Sequence, residues 1–440
     1  MAHPTSSTTI LDRIAASYHL PIDLRLAPAY YALLHACGDP HLHLPPVLHV
    51  AGTSGKGSTC AFMRAALEAA GYRVHVYTSP HLVSFHERIR LDGTLITEDA
   101  LVALLEEVER QCAPGAVSYF EFTTVVALLA FARTPADFVI LETGLGGRLD
   151  ATNIIDKPAA TAITRISFDH REYLGKTLTA IAAEKAGIMK PGVPCCIGQQ
   201  AATEVTQRFA RIAAERQTPL LFFGQDWNIQ PNGNKGFRYT DRLGSVDLPP
   251  PALVGAHQMV NASLALATLR LGVGITLSSA QQAQSMLRVT WPGRLQRLRQ
   301  GALVELLPKG WELWLDGGHN DSAGEVLAAQ AAQWQGQDGN IPRPLHVIYG
   351  MLKTKSPEEF LRPIVPFITT LHGVAIPGES NSLPVADLVT AAQTAGVHDA
   401  APALDLYQAV QKLVQHGVKP GRILICGSLY LVGHVLRQHE

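Results

Sequence analysis

Short runs of β-branched and other apolar residues alternate with longer helix-like stretches through about the first half of the chain. The runs are "PVLHVA" (46–51), "RVHVYT" (73–78), "DFVILET" (137–143), "TAITRI" (161–166), "VPCCIG" (193–198) and "PLLFFG" (219–224). Each has the length and composition of a strand, and the segments between them are long enough for helices. That rhythm predicts an α/β fold built on a mainly parallel sheet. Ligands of such sheets collect at the carboxyl ends of strands, so the residues after each run are the first place to look for chemistry.

From Gln225 the pattern changes. The stretch "NIQPNGNKGFRYTDRLGSVDLPPP", ending at Pro251, is rich in Gly, Pro and Asn with short alternating pieces, and predicts a small β-hairpin insertion near 225–251. A helical segment, "HQMVNASLALATLRLGVG", follows and leads through "WPGRLQRL" (291–298) into new strands, "WELWLD", "LHVIYG", "LHGVAI" and "RILICG". The expected organisation is a first domain over 1–296 and a smaller, Rossmann-like α/β domain over 297–440. No internal repeat or low-complexity segment interrupts it.

The 440 residues are 47% hydrophobic and 17% charged with a formal net charge of -1, which argues against disorder and against a nucleic-acid partner. The six cysteines form no CxxC pair, and Cys195 and Cys196 sit together in an apolar run. They read as buried reduced thiols, pointing to the cytosol. The start, "MAHPTSSTTILDR", lacks the basic and apolar regions of a secretory signal, and no apolar run reaches the roughly 18 residues of a membrane span. A cytoplasmic protein without membrane contact is expected.

The most informative segment is "HVAGTSGKGSTC", His49 to Cys60. The common phosphate-loop spelling has a glycine six residues before the lysine and a hydroxyl directly after it. Here those places hold Val50 and Gly57, and the hydroxyl comes one step later at Ser58. The order is nevertheless strand, glycine loop, lysine, hydroxyls and helix, the arrangement in which backbone amides and a helix N-terminus hold phosphates. Gly52, Gly55 and Gly57 would let an anion approach the backbone along Thr53 and Ser54, Lys56 would neutralise it, and Ser58 or Thr59 could reach a magnesium ion.

A second clue lies in "TLTAIAAEKAGIM". Leu178, Ile181, Lys185 and Ile188 share one helical face, so Lys185 falls on the apolar stripe. A semi-buried ammonium has a lowered pKa, and a neutral amine can take up carbon dioxide as a carbamate. A lysine that snorkels its head to solvent is the alternative.

"GTSGKGS" resembles the loop of the Mur ligase superfamily, and "HVAGTSGKGS" resembles its folylpolyglutamate synthase and dihydrofolate synthase branch. Further matches follow in "YTSPHLVSFHERIRLDG" (77–93), "ETGLGGRLDATN" (142–153), "EKAGIMKPGVP" (184–194), "WPGRLQ" (291–296), "LDGGHN" (315–320) and "GSLYLVG" (427–433), covering nearly the whole chain. Departures are local: Ser54 replaces an expected Asn, His86 departs from "FNER", and "FDHREYLG" (168–175) is a variant segment.

The resemblance implies a ligase that uses ATP and magnesium, two ions, to join L-glutamate to dihydropteroate and to the γ-carboxyl of reduced folates. It implies metal roles for Ser79, Glu142, His170 and Lys185, with Ser58 at the nucleotide end and Lys185 carbamylated. Lys56, His170 and Lys185 would carry the catalytic roles, while Asn261 would approach the adenine and Arg294, Asp316 and His319 would hold ATP. For the acceptor it implies Phe120, Phe122 and Thr123 of "SYFEFTTVVALLAFA", near Glu121, together with Arg148, Asp150 and Thr152. A monomer is also implied. His41 and His43 of "DPHLHLPP" decorate a loop. Two alternatives stay open: folylpolyglutamate synthesis alone, and a nucleotide-binding regulator that has lost turnover. A peptidoglycan-type Mur ligase would have no reason to carry the folate-branch segments.

Overall fold

The computed structural model describes residues 6–17, 28–339, 342–416 and 419–438. The reading of residues 1–5 as lacking a secretory signal therefore lies outside the described residues. The chain forms two compact units, one running up to Ala252 and resuming over Gln258–Val289, the other comprising Leu253–His257 and the chain from Thr290 onward.

The first unit is built on eight strands: β1 (Val47–Ala51), β2 (Val74–Tyr77), β3 (Ile89–Leu91), β4 (Thr94–Leu95), β5 (Phe138–Glu142), β6 (Ala160–Ile163), β7 (Cys195–Ile197) and β8 (Leu220–Phe222). Their spatial order is β4-β3-β2-β5-β1-β6-β7-β8. All pairs from β2 to β8 are parallel, and only the β2–β3 and β3–β4 pairs at one edge are antiparallel. Every residue of β1, β2, β5 and β6 is buried, as expected of strands covered on both faces by helices. One layer of core joins Val139 and Leu141 to Phe122, Val125 and Leu128 of the helix Tyr119–Arg133. The other joins Ala51, Ile163 and Ile197 to Ile181 and Phe209. The central strands β1 and β5 thus lie with their carboxyl ends side by side, and the glycine loop and Glu142 emerge next to each other.

After β8 comes a three-stranded antiparallel sheet of β9 (Trp227–Pro231), β10 (Phe237–Asp241) and β11 (Gly244–Leu248), where the sequence suggested a hairpin. Its additional strand, β9, reads poorly because it alternates imperfectly and ends in Pro231. The sheet is tied down by the half-buried Arg270 on the buried carboxylate of Asp241, at 2.7 Å.

The second unit holds β12 (Gln296–Leu298), β13 (Glu312–Leu315), β14 (Leu345–Tyr349), β15 (Ile368–Gly373), β16 (Ala400–Pro402) and β17 (Arg422–Cys426), in the order β12-β13-β17-β14-β15-β16. All pairs are parallel except β12–β13. The run "LHGVAI" lies later than the observed β15, because Val374 and Ile376 are buried without belonging to the strand. Among the described residues no helix is long and apolar enough to cross a membrane.

Candidate functional site

The glycine loop leaves β1 at Ala51, and its backbone explains its glycines. Gly52 and Gly55 have φ of 144° and 94°, a region that side chains rarely enter. A Cβ on Gly52 would stand 1.8 Å from Thr164 Oγ1, and one on Gly55 would stand 2.5 Å from Asn261 Oδ1. Asn261 is buried and bonded through its amide to Gln258, so the structure brings it against the loop. The amides of Thr53 and Ser54 both donate to the carbonyl of Arg165 after β6, at 3.0 and 3.3 Å. Ser54 is thereby held through its backbone, which any side chain at that position would permit.

The helix Lys56–Ala69 starts at Gly55 without a side-chain cap, leaving its first amides to an anion or water. Gly57 lies in its first turn, and Ser58 and Thr59 are buried there. The hydroxyls of Thr59, Thr143, Thr164 and Ser167 are buried with no hydrogen-bond partner among the described residues. Orphaned buried hydroxyls grouped around one loop are the mark of a place that a polar ligand or ion completes.

Charged side chains gather beneath this loop. Lys56 Nζ is 3.9 Å from the buried carboxylate of Glu142 at the end of β5. Glu142 also accepts a hydrogen bond from the Ser79 amide, at 3.4 Å, directly after β2. Lys185 ends the helix Leu178–Lys185, is 5% exposed, and donates from Nζ to the Gly52 carbonyl at 2.7 Å. Its head is inside the protein, so it does not snorkel. Burial first, and the charge of Lys56 second, push its pKa down to about 7, while Asp169 and Asp150 oppose the shift.

The donor set fits magnesium, which takes few protein oxygens and keeps waters and phosphates as its other ligands. Among the described residues no three His, Cys, Asp or Glu side chains form a metal-holding group. As an ammonium, Lys185 cannot ligate a cation. His170 stands in a left-handed conformation with its side chain 40% exposed and Nε2 3.8 Å from Asp169.

The residues expected to meet the acceptor divide into two groups. Phe120 is half-buried, stacks on Tyr77 with ring centroids 6.0 Å apart, and lies over Gly144, where a Cβ would come within 2.5 Å of the ring. Arg148 is exposed and bonds the Glu184 carboxylate at 3.1 Å. The others face inward. Phe122 is fully buried in the core, the Thr123 hydroxyl bonds the Tyr119 and Phe120 carbonyls, and Glu121 closes a capping box with Ser118. Asp150 and Thr152 are buried and bonded to each other.

In the second unit Asp316 follows β13 and accepts from the amides of Leu295 and Gly318 at 2.9 and 2.7 Å. Burial raises its pKa despite these bonds and the nearby Arg294. His319 Nδ1 bonds the Gly317 carbonyl at 3.0 Å, and a Cβ on Gly317 would touch Arg294 Nη1 at 2.7 Å. Arg294, Asp316 and His319 are therefore neighbours at one strand end, although 25 residues separate the first from the last.

A glycine loop over a Lys–Glu–Lys cluster in a parallel sheet, joined to a second α/β unit, defines a nucleotide-binding protein of the Mur ligase kind. Residues 50–269 match the Mur ligase middle domain and residues 303–438 match the dihydrofolate synthetase C-terminal domain. The chain belongs to the dihydrofolate synthase/folylpolyglutamate synthase family. It is 32% identical to the folylpolyglutamate synthase of Lacticaseibacillus casei over 421 residues, covering 92% of each chain. It is also 32% identical to the dihydrofolate synthase/folylpolyglutamate synthase of Escherichia coli K12, over 89% of this chain and 86% of that protein. Escherichia coli FolC in complex with DHPP and ADP superposes with a TM-score of 0.86 at 29% identity, covering 98% of this chain and 97% of the other. A bifunctional folylpolyglutamate synthase/dihydrofolate synthase with Mn, AMPPNP and L-glutamate bound gives 0.83 at 29% identity over 99% of both chains.

Sequence reasoning gave no role to Thr164, which backs Gly52, to Asp169, which acts on Lys185, or to His49. His49 lay inside the quoted loop segment but within a strand buried on both faces, where periodicity does not mark a polar side chain.

Proposed function

We propose that this protein is an ATP-dependent ligase that joins L-glutamate to dihydropteroate and extends reduced folates through the γ-carboxyl. The observation that carries this reading is the gathering of Lys56 and Ser79 on Glu142, and of Lys185 on the Gly52 carbonyl, at the glycine loop. Four chain segments far apart in sequence meet where a nucleotide's terminal phosphate would lie at the loop. Membership of the family directs the choice of acceptors. The proposed domains run over 1–296 and 297–440, acting as a monomer in the cytoplasm.

Amide formation in water is uphill, and transfer of the γ-phosphoryl group to the acceptor carboxylate supplies the drive. A carboxylate oxygen attacks the γ-phosphorus and ADP leaves. The glutamate amine then attacks the acyl carbon, loses its proton, and expels phosphate to leave the amide. Lys56 and the uncapped amides after Gly55 would bind the phosphates and offset the charge that develops on them. Asn261, against Gly55, would orient the base, and Arg294, Asp316 and His319 are proposed nucleotide contacts of the second unit. Ser79, Glu142, His170 and carbamylated Lys185 would hold divalent cations, with Ser58 at the nucleotide end, and those ions would draw charge from the phosphate oxygens. Phe120 would stack a flat heteroaromatic acceptor. Phe122 and Thr123 support it from the core side.

Acceptor labelled with oxygen-18 in its carboxylate tests the mechanism. One labelled oxygen should appear in the phosphate released during glutamate addition. Unlabelled phosphate alongside glutamylated product would eliminate acyl-phosphate chemistry.

A further inference from the structure

His49 sits on β1 three residues before Gly52, so its place in the sequence suggests service to the phosphate loop. Its side chain goes elsewhere. Completely buried, it bonds through Nε2 to Thr152 Oγ1 at 2.8 Å. Thr152 Oγ1 bonds Asp150 Oδ1 at 2.5 Å, and the Thr152 amide bonds the same oxygen at 3.0 Å. The other carboxylate oxygen of Asp150 accepts the Leu145 amide at 2.8 Å. One chain of bonds thus runs from β1 to the turn at Gly144 and Leu145, and Gly144 is the residue that lies under the Phe120 ring.

The direction of the chain follows from donor counting. A threonine hydroxyl has one proton and two lone pairs, and a carboxylate is the strongest acceptor within its reach. Thr152 therefore donates to Asp150 and accepts from His49, which requires the proton on Nε2. Nδ1 is then a bare lone pair, and Nδ1 is the His49 atom with no partner among the described residues. An orphaned acceptor is tolerated more readily than an orphaned N–H, so the tautomer and the surroundings agree. The reverse arrangement needs a protonated Asp150 and leaves a buried N–H without a partner. Burial, with Lys190 adding to it, keeps the ring neutral, its pKa pushed down to about 3.

We propose that His49 is a positioning residue for the acceptor: through Thr152 and Asp150 it fixes the Gly144–Leu145 turn that meets Phe120. This rests on the reading of Phe120 as an acceptor contact. It predicts that breaking the bond between Thr152 and the strand feeding the phosphate loop alters acceptor binding and spares ATP.

Thr152→Val keeps the shape and removes the hydroxyl; Thr152→Ser keeps the hydroxyl. Steady-state glutamylation, on protein with a checked melting temperature, should give Thr152→Val an acceptor KM raised about tenfold with the ATP KM changed less than about twofold. Thr152→Ser should restore the acceptor KM. Equal changes in both KM values, or no rescue by serine, would overturn the proposal. A long-range proton–nitrogen spectrum of histidine-labelled protein, with the His49 signals assigned by their loss in His49→Gln, reads the tautomer without turnover. A neutral Nε2–H ring is expected, and an Nδ1–H or cationic ring at neutral pH would overturn the relay. If wild-type protein glutamylates no acceptor, the proposed function and the acceptor role fall together. The tautomer then tells separately whether the hydrogen-bond chain itself exists.

Discussion

Replacing Gly187 with alanine should open the contact that sets Lys185 against the loop after β5. A Cβ at Gly187 would stand 2.1 Å from Arg148 Cα, 2.3 Å from its nitrogen and 2.4 Å from its Cβ, where ordinary contact begins at 3.4 Å. The obstacle is backbone, so the two segments must part by more than an ångström. The same seam holds the Arg148 amide on the Glu184 carbonyl at 2.7 Å, and a Cβ on Gly147 would stand 2.8 Å from the Lys185 carbonyl. Overpacking of this kind costs about 1–3 kcal/mol. For a unit of this size that is a fall in melting temperature of roughly 2–10 °C. A misplacement of about 1 Å at a reacting group lowers kcat/KM on the order of a hundredfold. Scanning calorimetry and steady-state glutamylation well below the transition would measure both. Gly336→Ala is the control: it lies in the exposed interior of the helix Asp321–Asp338 with nothing within 4 Å of a new Cβ. It should gain about 0.5–1 kcal/mol and leave activity unchanged. A Gly187→Ala protein with wild-type melting temperature and wild-type kcat/KM would refute the steric reasoning.

Lys185→Met, which retains length and apolarity, should lower kcat by at least about a thousandfold while the protein stays folded, since the residue has one strong polar bond to lose. Intact-mass measurement of native protein should find one added carbon dioxide, lost on acidification, and an unmodified mass in fully active protein would end the carbamate proposal. Chelation of divalent cations should abolish product formation, and added magnesium should restore it; activity that survives thorough chelation would remove metals from the account. Asp338 accepts two bonds from Arg422 at 2.6 and 2.8 Å, and this hydrogen bonding, ahead of other causes, holds its pKa down to about 2. A carboxylate depressed in the folded state contributes stability above its ordinary value and loses it as the pH falls through the folded one. Asp338→Asn should thus cost about 3 kcal/mol at neutral pH, and its deficit against wild type should shrink between pH 3.8 and about 2. A deficit independent of pH would contradict the assignment.

What the sequence disclosed depended on how local each determinant was. The buried face of Lys185 was legible from its spacing with Ile181 and Ile188, because a helix repeats within a few residues. Its partner, the Gly52 carbonyl, was not, since 133 residues separate them. Strands β3, β4, β12 and β16 have three residues or fewer, and no run of β-branched or large apolar residues surrounds them as one does the equally short β7 and β8. Glu121 could have been recognised as a cap: "SYFE" places Ser and Glu three apart before an apolar helix, and the nearby aromatic residues drew attention away from that signal. For Asp150 and Thr152 the sequence leaves the partners open, because buried and ligand-facing polar residues are spelled alike. Only the structure tells that their hydrogen bonds turn inward, toward His49 and Leu145.

The most direct test is to incubate the protein with ATP, magnesium and L-glutamate in the presence of dihydropteroate or tetrahydrofolate, and to weigh the products. The account predicts one added glutamyl residue on dihydropteroate and one or more on tetrahydrofolate, each accompanied by ADP and phosphate. Addition to tetrahydrofolate alone would leave a folylpolyglutamate synthase, and folded, ATP-binding protein that glutamylates neither would contradict the account.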